Sequence, residues 1–152
     1  MSDASFADGD EGPLRLRALD TDDLAVMSGL VQDAVFPASE MTWHRKSRRF
    51  AVLLNRFRWE RRGREAERVQ AVLAIEDVVL VQSQGIDPKD ADTVLSLLSV
   101  TFESGDDGTG RVILTLAGDG VIGVSVEALE VVLKDVTRPY VAPSGKTPSH
   151  PD

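Results

Sequence analysis

Cysteine is absent from the chain. That excludes thiolate catalysis, cysteine-ligated zinc and a disulfide framework together, and it fits a reducing compartment. Histidine is almost absent as well. His44 and His150 are the only two, so a histidine-rich metal site cannot be assembled within one chain. Long apolar runs are missing: VLAI at 72–75 and VVLV at 78–81 are short, against the roughly 18 residues that would suggest a membrane-spanning helix. The start, MSDASFADGDEGP, is acidic and polar and lacks the basic and apolar pattern of a secretion signal. These absences point to a cytoplasmic protein with no membrane contact, no metal and no cofactor.

Of the 152 residues, 42% are hydrophobic, enough for one domain with its own core. Residues 1–12 read as a disordered acidic arm, 13–138 as the domain, and 139–152 as a disordered tail. The tail region from Thr137 onward holds four of the seven prolines.

Period-2 alternation dominates the domain. LRLRAL at 14–19 alternates leucine and arginine, which marks a half-buried strand. Asp20 is placed to cap a short helix carrying Leu24, Met27 and Val31, with Gly29 near its end. RRFAVLLNRFRWE at 48–60 is the longest strand-like run of the first half. Residues 67–84 divide into two strands at Glu76-Asp77, because two adjacent acids cannot both face a core. From Val94 to Glu103, Val94, Leu98, Val100 and Phe102 share one face. The segment 127–136 places Leu129, Val132, Leu133 and Val136 at helical spacing and predicts an amphipathic C-terminal helix.

Most connections have hairpin length, and no long parallel crossovers occur. The expected class is therefore α+β, mostly antiparallel β, as a bent sheet or small barrel closed by the C-terminal helix. Closure in that manner would give a PH-like order.

GDGVIG at 118–123 matches a dinucleotide-binding glycine signature. The residues after Gly120 alternate as a strand, however, and too little chain follows to complete a βαβ unit. A hairpin using glycine at positive φ is the simpler reading. His44 lacks a nucleophile motif or an acid at motif spacing. The acidic groups around Asp20, Asp87 and Asp106 do not fit a calcium loop. A small enzyme would have to use His44 or paired acids in a barrel mouth. Asn55 and Gln82 interrupt apolar strands and read as structural hydrogen-bonding sites or the floor of a pocket.

The charge distribution is the remaining lead. The chain carries −8 overall, yet His44–Arg68 holds ten basic and three acidic residues, a balance of +7 that leaves −15 elsewhere. Arg45, Arg48, Arg49, Arg58, Arg61 and Arg62 are the candidate contacts of a basic hairpin spanning about residues 45–64, with Trp43, Phe50, Phe57 and Trp59 interleaved. Arginine forks suit phosphates and carboxylates, so the expected partner is an anionic ligand or an acidic protein. Three considerations work against the lead. Arginine outnumbers lysine thirteen to four throughout the chain. Phe50 and Val52 share strand parity with Arg56 and Arg58, so a uniformly basic face requires a bulge. A solvated surface paired with the excess acids also accounts for the block. Self-association through an exposed strand edge, giving a homo-oligomer, is a further expectation.

Taken together, LRLRALDTDDLAVMSGLVQDAV, RRFAVLLNRFRWE, VLVQSQGID, VLSLLSVTFE and GVIGVSVEALEVVLKDV resemble the uncharacterised alphaproteobacterial proteins grouped as domain of unknown function 2948. The resemblance covers about residues 14–140. It implies a bacterial cytosolic protein and transfers no site residue.

Overall fold

The computed structural model describes residues 13–60, 67–87 and 89–141. Eleven strands and one α-helix follow in chain order: β1 (Arg15–Ala18), α1 (Thr21–Leu30), β2 (Val35–Pro37), β3 (Met41–His44), β4 (Arg49–Phe57), β5 (Glu67–Ile75), β6 (Val78–Gln84), β7 (Val94–Ser104), β8 (Gly110–Leu116), β9 (Val121–Val126), β10 (Val131–Asp135) and β11 (Tyr140–Val141). Short 3₁₀ turns cover Ala38–Glu40 and Asp106–Gly108.

All strand pairs are antiparallel. The strands run in the open order β1-β10-β5-β4-β2-β7-β8-β9-β6, with β3 paired to β4 and β11 to β5 off that path. The sheet bends around a single large core to which both of its halves contribute, including Leu54, Leu73 and Leu133 from one and Leu97, Leu114 and Ile122 from the other. The sheet does not close, so the barrel mouth expected for an enzyme site does not form.

Local chemistry explains several elements directly. In β1, Leu16 and Ala18 are buried while Arg15 and Arg17 face water. The Asp20 side chain accepts from the Asp23 N–H at 2.8 Å and caps α1, satisfying a donor the helix leaves unpaired. Leu24, Met27 and Leu30 turn inward. Gly29 lies within the last turn of α1, which ends one residue later. The break at Glu76-Asp77 is present, with Asp77 at φ 55°. Gly118 and Asp119, at φ 81° and 72°, turn the β8–β9 hairpin inside the three-residue loop that Leu116 and Gly120 close, and glycine takes such a positive φ without strain. GDGVIG is thus a turn leading into a strand.

Two expectations are corrected. The segment predicted as a C-terminal helix forms β10, which lies between β1 and β5; a PH-like order of strands closed by a final helix is therefore not seen among the described residues. Val131, Leu133 and Asp135 point inward at strand spacing. Both periods fit this sequence, and pairing on both sides decides for the strand. In β7, the register shifts between Leu97 and Ser99. That irregularity moves the buried side from Leu95 and Leu97 to Val100, so the unbroken face from Val94 to Phe102 does not exist. Beyond the three residues that β2 pairs, α1 packs along β7, and Ser28 Oγ accepts from the Val100 N–H at 2.8 Å.

Candidate basic site and the family

β4 separates the basic block in space. Nine strand residues at about 3.4 Å each put the β3–β4 turn and the β4–β5 connection at opposite ends of that strand. Within the described residues 45–60, the basic hairpin expected over residues 45–64 is accordingly not one surface. Arg61 and Arg62 lie outside the described residues.

Between these ends the arginines go inward. Phe50, Val52, Leu54 and Arg56 share the buried side of β4, as their common parity requires, and no bulge intervenes. Arg56 has no exposed surface. Its Nε and Nη2 donate to the two Asp135 carboxylate oxygens, both at 3.0 Å. Nη1 and Nη2 donate to Glu60 at 3.0 and 2.8 Å, and Nη1 also donates to the Phe57 carbonyl at 3.3 Å. Every N–H of the guanidinium is thereby used, which is what a buried arginine requires. Asp135 in turn accepts from the Leu14 N–H at 2.9 Å, tying the residue before β1 into the same network.

Burial is the largest influence on both Arg56 and Glu60, and it opposes each charge. The paired hydrogen bonds and opposite charges outweigh it. Arg56 is held above its ordinary pKa, and the Glu60 carboxyl below its own.

Arg58 is also buried, 2% exposed. It pairs with Glu67 at 2.7 Å and lies 3.7 Å from Glu60. It therefore belongs to the internal network and reaches no contact surface. Arg56 and Arg58 hold Glu60 and Glu67, the residues that flank the β4–β5 connection. Sequence reasoning did not pick out Asp135 or Glu60. The parity of Arg56 with Phe50 and Val52 was the one available signal, since a charge on that face demands a buried counter-charge.

The surface part of the block is the β3–β4 turn. Arg48 pairs with Glu127, and Arg49 with Glu76 at 2.8 Å. Arg17 and Glu130, at 3.0 Å, add a third exposed pair. Arg48 sits at φ 56°, and its carbonyl accepts from the Val78 N–H at 2.9 Å. Arg45 and Lys46 have no carboxylate partner among the described residues. The Arg45 guanidinium lies 5.9 Å from the centre of the Trp43 ring, within cation–π range. His44 is exposed on β3. Among the described residues, no group of three or more histidine, aspartate or glutamate side chains is placed to hold a metal ion. No helix among them is long and apolar enough to cross a membrane.

The architecture is that of an α+β domain built on one open, bent antiparallel sheet with its ionic groups divided between an internal network and a surface turn. The chain belongs to the family described as protein of unknown function, DUF2948, which it matches over residues 14–150. No curated protein and no solved structure matches it.

Proposed function

We propose that this chain is a non-enzymatic interaction module of the cytosol, and that it contacts an anionic ligand or acidic partner through the β3–β4 turn. One observation carries the reading. Arg45, Lys46, Arg48 and Arg49 place four cations within five positions, and among the described residues carboxylates pair with only the last two. The turn thus holds two cations in solvent beside a half-buried indole. Arg45 is positioned over that ring, and Arg48 and Arg49 are anchored to the neighbouring strand connections. A planar guanidinium beside an ammonium suits carboxylate or phosphate oxygens. The net charge of −8 argues against indiscriminate binding of anions.

Salt-titrated binding of polyphosphate, RNA and a polyglutamate peptide tests the proposal. At least one of the three binds in a salt-sensitive manner, and Arg45→Ala/Lys46→Ala weakens it. For RNA the salt slope falls by about one for each phosphate contact removed. Absence of salt-sensitive binding to all three, or equal binding by the double variant, contradicts the proposal.

A further inference from the structure

The open sheet has strand edges of unequal character. Among the described residues, β1, β3, β6 and β11 each pair with a single neighbour. A free edge offers backbone N–H and C=O groups to any other strand, and charged side chains or proline are the usual means of blocking such pairing. β11 has only two residues, and β3 runs into the basic turn. β1 carries Arg15 and Arg17 facing water. β6 is the longest of the four, at seven residues. From Val78 to Ile86 no residue is charged and none is proline, in a chain of which 28% is charged. Val79 and Leu80 are 51% and 48% exposed there.

Both ends of the open stretch are fixed. At its start the Val78 N–H is taken by the Arg48 carbonyl at 2.9 Å, and the register against β9 shifts between Val78 and Leu80. At its end Gly85, at φ 78°, turns the chain out of the strand. Between these points residues 80–84 pair regularly with residues 121–125 of β9. Val81 packs against the core, while Leu80, Gln82 and Gln84 alternate with it and are exposed. Among the described residues, the side of residues 80–84 turned away from β9 meets no hydrogen-bond partner.

We infer that residues 80–84 of β6 pair antiparallel with the same residues of a second copy of this chain, about a two-fold axis through Gln82. The axis follows from the bounds of the stretch: only a register centred on its middle residue uses every position between the bonded Val78 and the turned Gly85. Leu80 then lies opposite Gln84 of the second copy, and Val81 opposite Ser83. Gln82 meets its own copy, and each amide has both donors and an acceptor to offer the other. The second copy is the occupant for an electrostatic reason. Each chain carries −8, so two copies can meet only where no like charges are brought together, and the paired stretch of β6 is uncharged on both sides of the axis. A two-fold contact also closes on itself, using the same edge of each copy. The contact involves neither Arg45 nor Lys46, so it stands or falls apart from binding at the β3–β4 turn.

Sedimentation equilibrium of the full chain, with substitutions at Gln82, tests the inference. The native chain forms a dimer that dissociates on dilution. Gln82→Lys and Gln82→Glu each set like charges across the axis and weaken the dimer at least about tenfold, with native circular dichroism because Gln82 is exposed. An equal mixture of the two variants restores the dimer, since the facing charges are then opposite. The absence of cysteine lets a disulfide report the register. Under mild oxidation Gln82→Cys crosslinks to its own copy, the facing Cα atoms being about 5 Å apart. Gln84→Cys does not, because its copy lies four positions along the facing strand, about 14 Å away. A native chain that stays monomeric up to about 1 mM overturns the inference. So does a dimer indifferent to Gln82→Lys, a mixture of the two folded variants that stays monomeric, or a Gln84→Cys chain that crosslinks as readily as Gln82→Cys.

Discussion

Replacing Arg56 with methionine destabilises the domain by roughly 3–5 kcal/mol, the cost of removing one partner from a buried ion pair. The substitution leaves Asp135 and Glu60 facing each other across an apolar space, with side chains only 3% and 5% exposed. It also withdraws the side-chain link between β10 and the end of β4. The matched control is Arg49→Met. Arg49 is half exposed in its pair with Glu76, and such a pair contributes at most about 1 kcal/mol. Urea denaturation of the three proteins measures the difference. Equal midpoints for the two variants would mean that Arg56 does not occupy the interior.

Acid weakens the fold through the same network. The folded-state pKa of Glu60 lies below its ordinary value of 4.5, so near that pH the unfolded chain binds more protons than the folded one. The stability contributed by ionised Glu60 is fully present above about pH 4.5. It is lost as the pH falls through the lower, folded-state value. Urea midpoints taken stepwise from pH 7 to pH 3 therefore drop in the acid range for the native chain. The Glu60→Gln variant starts less stable at pH 7 and shows a shallower acid decline. Parallel pH profiles for the two proteins would exclude Glu60 as a source of acid sensitivity.

Strand parity marked Arg56, whereas no local pattern marked Glu60. Alternation located β1 and β4, and the adjacent acids located the break between β5 and β6. Asp20 announced α1, and the glycines at 118 and 120 announced a hairpin. These features depend on neighbours a few residues away. The missed features depend on distant ones. β10 carries apolar residues at both helical and strand spacing, and only its pairing with β1 and β5 selects the strand. The irregularity in β7 changes which residues face inward, with no glycine or proline there to mark it. Asp135 meets Arg56 from 79 positions away, so their pairing could not be read from proximity in the chain. The run of arginines looked like one surface because its members are adjacent in sequence. A strand of nine residues divides them into two ends and an interior. Asn55, which reads as a structural amide or a pocket floor, donates to the Tyr140 hydroxyl, whereas Gln82 is exposed on edge strand β6.

Among the described residues, the basic block is divided between an internal ionic network and the exposed β3–β4 turn. Arginine modification by a dicarbonyl reagent on the native chain, resolved residue by residue by mass spectrometry, tests it most directly. Arg45 reacts readily in the folded protein, while Arg56 and Arg58 react only after the chain is unfolded. Modification of Arg56 or Arg58 at the rate of Arg45 under native conditions would contradict the account.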